Sequence, residues 1–173
     1  MNDLAVAAQL PLFEAMCEYE AGSPKHIQHF TKVHAYCRAI ALAEGMDEHE
    51  RYVLEAAALV HDIGIRPSKE KYGDSAGHHQ EELGPDVARL MLIVLGYEPA
   101  DIERICWLIA HHHTYDCIEE LDHQILVEAD FLVNIFEHDM ADEQAQRRQA
   151  ESVRERIFRT ATGTRILDAM FLA

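Results

Sequence analysis

The chain has 173 residues, of which 15 are Lys or Arg and 31 are Asp or Glu, so its formal net charge at pH 7 is −16. The length favours one domain over residues 1–173 with a sizeable core, and the charge argues against nucleic-acid polymers and anionic membranes as partners. The sequence shows neither a signal-peptide pattern nor an apolar run of the roughly 18 residues that a membrane span needs. Its four cysteines stand singly in or beside apolar helical patterns, so we expect reduced thiols and a cytoplasmic protein.

Apolar residues recur at helical spacing along the chain, and we find no convincing strand. The pattern predicts an all-α helical bundle with its core at residues 24–139 and C-terminal helices at 141–173 that pack on this core. Ser23-Pro24 marks one helix start, since proline suits the first helical position, and Pro11 should kink or restart the first helix. Helices are predicted over residues 3–19, 24–43, 47–60, 79–95, 99–111, 122–138, 141–159 and 166–172, with a loop at 66–77.

The second predicted helix carries a histidine on its apolar stripe. The stripe has spacings of four, three and four residues and comprises Phe30, His34, Cys37 and Ala41. His34 should therefore lie on the buried face, where it is either hydrogen-bonded within the core or bound to a metal ion. His26 and His29, in the first turns of the same helix, are expected at the rim.

A histidine and an aspartate stand side by side at the end of the third predicted helix. His61 and Asp62 follow the apolar run 56–60, and charged groups in a core must be paired or bound to metal. The same argument applies to Asp130, which shares a helix face with Leu126 and Val133. A divalent cation would compensate for the burial of these polar side chains.

The segment after this pair contains the tightest basic group in the front half of the chain, Arg66, Lys69 and Lys71. Loops often contact substrate, and cationic side chains beside a metal ion suit a phosphate. We therefore predict phosphate binding by Arg66 and Lys69. The alternative is that these are solvated charges of a surface loop.

Three consecutive histidines, His111, His112 and His113, close the helix predicted over residues 99–111. At a helix end, two of them could face the same cavity as His61 and Asp62. We expect at least one to line the site, but the pattern leaves open which one.

The combination of His61-Asp62 with an upstream His34 and a downstream Asp130 resembles the HD superfamily of metal-dependent phosphohydrolases. The resemblance covers residues 24–139 and implies an all-α bundle with a metal ion in its middle. It also implies that His34, His61, Asp62 and Asp130 bind the metal and that His61 and Asp62 form the catalytic pair. The whole stretch is similar to a group of small, uncharacterised bacterial and archaeal HD-domain proteins.

Departures from the superfamily pattern bear on the number of metal ions. Many members have a histidine for a second ion where this chain, aligned on Gly84, has Gln80. The chain also lacks the Gly-Tyr-Pro signature of one phosphodiesterase branch, whereas its His113-Thr114 resembles a dinucleoside tetraphosphate hydrolase branch. One ion is preferred, and a second ion or the substrate could be bound by His79, Gln80, His111 or His112.

The four candidate ligands also indicate a chemistry. Two imidazoles and two carboxylates suit Mn, Fe, Co, Ni or Zn, and Mg less well. An octahedral ion with four protein ligands keeps two positions for water and substrate, which predicts hydrolysis of a phosphoester or phosphoanhydride. The expected substrate is a small phosphorylated molecule, with a nucleotide as the leading candidate.

The sequence leaves open two other functions and the oligomeric state. Surplus histidines are compatible with an HD-fold di-iron oxygenase, and the same scaffold could serve as a noncatalytic nucleotide-binding regulatory module. A homodimer is open too, because the apolar C-terminal helix could cover a neighbouring chain.

Overall fold

The regular elements are helical throughout the computed structural model, which describes residues 3–118, 120–137 and 143–173, with only the backbone for residues 3–8. The all-α fold class is thereby confirmed over these residues. Residue 138 and residues 141–142, where two predicted helices end and begin, lie outside them. The helices are α1 (Asp3–Tyr19), α2 (Pro24–Ala43), α3 (Glu48–Val60), α4 (Ile65–Tyr72), α5 (Gly77–Val94), α6 (Pro99–Ile109), α7 (Leu121–Glu137), α8 (Glu143–Arg156) and α9 (Ala161–Leu167), and a π-helical turn, Asp168–Leu172, follows.

Local signals set the start of the two helices that lead to the candidate site. α2 begins at Pro24, where the missing amide hydrogen costs no helical hydrogen bond. α3 begins after Asp47, whose carboxylate accepts a hydrogen bond from the amide of His49 at 2.8 Å. This N-cap satisfies an amide that the helix itself leaves unpaired. α3 then ends directly before His61 and Asp62, so the pair is held at the end of a fixed helix.

The loop predicted over residues 66–77 is wrong for its first half, which forms α4. Pro67 lies in the first turn of this helix, where amide hydrogens have no intrahelical acceptor, so it does not interrupt the helix. Ser68 is buried, and α4 packs against α5. Gly73 ends the helix with a φ of 80°, a conformation that favours glycine.

α7 runs through the middle of the bundle. Every residue from 123 to 130 is buried, and α7 contacts both α2 and α3, which also pack against each other. The core at this junction includes Val33, Cys37, Leu54, Leu126 and Val133. Polar side chains on the facing sides of α2, α3 and α7 are therefore brought to one buried place.

The C-terminal segment is attached to α7 through a buried carboxylate. Glu128 is completely buried, and its oxygens accept hydrogen bonds from the amides of Arg159 at 2.6 Å and Thr160 at 2.9 Å. The Thr160 hydroxyl and the Gln124 amide group donate two more. Four donors compensate for burying the charge, so the start of α9 is held against the helix that carries Asp130.

Three expectations from the sequence stay predictions: one domain over residues 1–173, a cytoplasmic location and a homodimer. Phe171 and Leu172 of the last turn pack against the chain's own core, while Met170 is exposed. Across the described residues, the helices fall short of the length and apolar character that a bilayer crossing requires.

Gly64 allows α5 to approach the end of α3, which gives a prediction on stability. A methyl group at position 64 would lie 2.6 Å from the backbone oxygen of Gln80 and 2.9 Å from its Cα. Because backbone atoms cannot rotate away, we expect Gly64→Ala to lower the free energy of unfolding by about 3 kcal/mol in urea titrations. Gly45→Ala is the control, since its methyl meets nothing within 4 Å and only the φ of 77° is unfavourable, at about 1 kcal/mol. Equal losses in the two variants would contradict this packing argument.

Candidate metal centre

Donor atoms of His29, His61 and Asp130, from α2, the end of α3 and α7, form one group, and Asp62 Oδ2 lies beside it. His29 Nε2 lies 3.1 Å from Asp130 Oδ1, 3.2 Å from His61 Nε2 and 3.4 Å from Asp62 Oδ2. His61 Nε2 lies 3.5 Å from Asp62 Oδ2 and 3.6 Å from Asp130 Oδ1. Ligands bound at about 2.1 Å to one ion are roughly 3.0–3.5 Å apart. The donor set and its spacing therefore fit a transition-metal ion.

The imidazoles at this point are oriented by hydrogen bonds on their other nitrogens. His61 Nδ1 donates to the Ala58 carbonyl at 2.9 Å, and His29 Nδ1 contacts Glu137 Oε2 at 3.0 Å. Since these oxygens accept hydrogen bonds, Nδ1 carries a proton in both rings, and each ring in its neutral form would present the Nε2 lone pair to a metal ion. Metal-bound histidines in proteins usually have this arrangement.

A second group of donors adjoins the first and comprises Asp62, His112 and His113. His112 Nδ1 donates to the Ile109 carbonyl at 2.7 Å, and His112 Nε2 lies 3.6 Å from Asp62 Oδ1. His112 Nε2 and His113 Nε2 are buried and have no hydrogen-bond partner. An unpaired buried polar atom is costly, so a cation or a bound substrate at this group would remove that cost.

Charges within the cluster shift several pKa values. Burial would raise the pKa of the carboxyl groups of Asp62 and Asp130, but the surrounding imidazoles hold both pKa values well below the usual range. Burial lowers the pKa of His29, yet its bonds to Asp130 and Glu137 and the charge of Asp62 outweigh this and raise it to about 9. Without metal, a proton on His29 thus compensates for the carboxylates, and a metal ion would take over that role.

The donor groups open into a cleft of about 500 Å³, called here the metal cleft. His29, Asp62 and Asp130 line it on the metal side, and Lys25, Lys69 and His113 also line it. Asp62 is the most accessible of the four converging side chains, at 26% exposure, whereas His61 is fully buried. A cleft of this size accommodates a small-molecule ligand, and Asp62 is the donor that such a ligand would meet.

The structure brings together His61, Asp62 and Asp130 but not His34. His34 Nε2 contacts Gln9 Oε1 at 3.0 Å and lies 3.6 Å from Glu55 Oε2, away from the cluster. The place predicted for His34 is taken by His29, which was expected at the rim and is buried. His29 precedes the buried Val33 and Cys37 by one and two turns, at spacings of four, so periodicity places His29 as well as His34 on a covered face.

The residues predicted for a second ion divide into two pairs. His112 belongs to the second donor group, and Gln80 lines the metal cleft while donating to the Ser75 carbonyl at 2.8 Å. His79 instead contacts Asp74 at 2.8 Å, and His111 stacks on Trp107. Neither His79 nor His111 belongs to the donor groups found among the described residues.

The residues predicted to bind phosphate also separate. Lys69 lines the metal cleft. The guanidinium of Arg66 lies over the Tyr19 ring at 4.7 Å, and Arg66 does not line the cleft. Lys71 is paired with Glu82 at 3.0 Å. Lys25, which the sequence did not single out, is the second lysine of the cleft.

Comparison with known proteins adds a family and a fold. The family model for the HD domain matches residues 27–161. A crystal structure described as a predicted HD superfamily hydrolase, from an uncultured Thermotogales bacterium, is 23% identical, with a TM-score of 0.69. The match covers 99% of this chain and 92% of that chain, and at this identity it supports the fold alone. No curated protein matches the chain.

The finding that His29, and not His34, lies in the donor group gives a prediction on metal binding. We expect His29→Ala to weaken affinity for a divalent transition metal by roughly 100-fold, because a ligand and its link to Glu137 are both lost. His34→Ala is the matched control on the same helix and should bind metal like the wild type. Metal titrations and elemental analysis after dialysis measure both. Loss of metal from His34→Ala but not from His29→Ala would contradict the structure.

The raised pKa of His29 gives a prediction for the metal-free protein. The ordinary value is 6.5 and the folded value is about 9, so folding binds a proton between these pH values. The resulting stabilisation is fully present below pH 6.5 and is lost as the pH rises through 9. The Tm of chelator-treated wild type should therefore fall more steeply with rising pH across this window than the Tm of His29→Gln. Parallel curves would contradict the assigned ion pairs.

Proposed function

Because this chain belongs to the HD-domain family, we propose that it is a metal-dependent phosphohydrolase acting on a small phosphorylated molecule in the cytoplasm, with a nucleotide as the leading substrate. The observation that carries the proposal is the donor group of His29, His61 and Asp130, with Asp62 beside it, at a cleft that also presents lysine side chains. Carboxylate and imidazole donors suit a metal ion, and ammonium groups suit phosphate.

The ligands of the proposed ion are His29, His61, Asp62 and Asp130. Their mixed nitrogen and oxygen donors suit Mn, Fe, Co, Ni or Zn better than Mg. Such an ion, when bound, acts as a Lewis acid that acidifies water and polarises a phosphoryl oxygen. Glu137 and the Ala58 carbonyl contribute by fixing the two imidazole rings.

Asp62 has a role beyond binding the ion. It is ionised across the physiological pH range, because its pKa is held low, and it is partly open to the cleft. A carboxylate with a low pKa is a weak base but a good hydrogen-bond acceptor. We therefore assign to Asp62 the orientation of the attacking water and to the buried His61 the positioning of the ion.

The number of ions is a separate part of the proposal. One ion at the first donor group is the simpler arrangement. The unpartnered Nε2 of His112 favours a second, because Asp62 directs Oδ2 to His29 and His61 and Oδ1 to His112. If only one ion binds, His112 and His113 are free to contact the substrate.

Metal count also distinguishes the alternative chemistry. Two irons per chain, together with a visible absorption change on exposure to oxygen, would indicate an oxygenase and contradict the hydrolase. Tight nucleotide binding without turnover would indicate a regulatory module. One or two redox-silent ions with phosphate release would support the hydrolase.

Substitution of the proposed catalytic pair tests the function. With metal-loaded protein and a panel of p-nitrophenyl phosphate and nucleoside mono-, di- and triphosphates, Asp62→Asn and His61→Ala should reduce kcat by roughly 1,000-fold, a loss of about 4 kcal/mol of transition-state stabilisation. Phosphate release measures the rates. His34→Ala and Arg66→Ala should stay within about threefold of wild type, since neither side chain reaches the cleft. A metal-loaded wild type that is inert on the whole panel would contradict the proposal.

A further inference from the structure

Most cationic side chains of this acidic chain already have a partner. Eight of the Lys and Arg side chains form ion pairs, namely Lys32, Arg38, Arg51, Lys71, Arg89, Arg104, Arg147 and Arg154. Four more lie over an aromatic ring or donate to neutral oxygens: Arg66, Arg156, Arg159 and Arg165. In the part of the chain that the structure describes, three cations have no such contact: Lys25, Lys69 and Arg148.

Two of these three cations line the metal cleft. Lys25 extends from the first turn of α2 and Lys69 from α4, so separate elements bring them to the same cavity. Neither pairs with Asp62, Asp130 or Glu137, the carboxylates of that cavity. In a chain with a net charge of −16, most cations are neutralised nearby, and these two keep their charge available to a ligand.

The cleft therefore has two chemically different parts. The donor groups around Asp62 suit the ion and the phosphoryl group that reacts there, whereas the lysines suit an anion. A volume of about 500 Å³ exceeds what one phosphate group requires. Building on the proposed function, we propose that Lys25 and Lys69 bind a second anionic group of the substrate. The substrate class is then a compound with a phosphate beyond the one that reacts, such as a nucleoside di- or triphosphate.

The test compares two substrates of the same nucleoside, adenosine monophosphate and adenosine triphosphate, on the metal-loaded full chain. For the triphosphate, Lys25→Ala and Lys69→Ala should each raise KM about tenfold, the effect of losing one charge-assisted contact, with kcat within twofold of wild type. For the monophosphate, both parameters should stay within twofold. Arg148→Ala is the matched control, because it removes an unpaired cation that does not line the metal cleft. It should leave KM and kcat unchanged for both substrates.

Two results would overturn the inference. Equal increases in KM for both substrates would mean that the lysines hold the reacting phosphate, and an unchanged KM for both would mean that they hold no phosphate.

A binding measurement separates failure of this inference from failure of the proposed function. Titration calorimetry with tripolyphosphate, with the metal content checked afterwards, should show about tenfold weaker binding in Lys25→Ala and Lys69→Ala than in Arg148→Ala, even if the protein hydrolyses nothing. Equal binding by all three variants would refute the inference whatever the activity.

Discussion

The packing of α2, α3 and α7 depends on compensating two carboxylates, the buried Asp130 and the partly exposed Asp62. Each buried charge would cost several kcal/mol if it were left uncompensated. The imidazoles of His29 and His61 supply that compensation. They can do so only when α2, α3 and α7 pack so that the two histidines lie next to the carboxylates. A polar cluster thus fixes how three helices pack in the middle of the core, and the protonated form of His29 preserves the arrangement without an ion.

Local signals were sufficient for most of the fold but failed for α4. Pro24 marked the start of α2, and Asp47 and the apolar run before His61 bounded α3, so both helices were predicted closely. The segment that forms α4 contains a proline and several charges, which are typical of loops. Its helical state depends on contact with α5, which is a tertiary effect that periodicity does not report.

Some residues of the candidate site could likewise be identified from the sequence and others could not. His61, Asp62 and Asp130 could be identified because charged residues interrupt apolar patterns there. His34 and His29 could not be distinguished by the same reasoning, because α2 is covered on two sides. One side faces Gln9 and Glu55, where His34 lies, and the other faces α7. Periodicity identifies the covered faces of a helix but not the neighbour that covers each one.

The bonds of Glu128 extend this dependence to the end of the chain. Glu128 precedes Asp130 by two residues on α7, and Arg159 and Thr160 satisfy its buried charge. The donor groups found among the described residues include no residue of this C-terminal segment, yet the segment helps to hold a ligand-bearing helix in place. In evolution, a lineage that shortened or replaced this segment would have to neutralise Glu128 in another way. Residue 160 should therefore vary together with residue 128, because the Thr160 hydroxyl donates to Glu128. Residue 159 donates only its backbone amide, so any residue except proline can stand there.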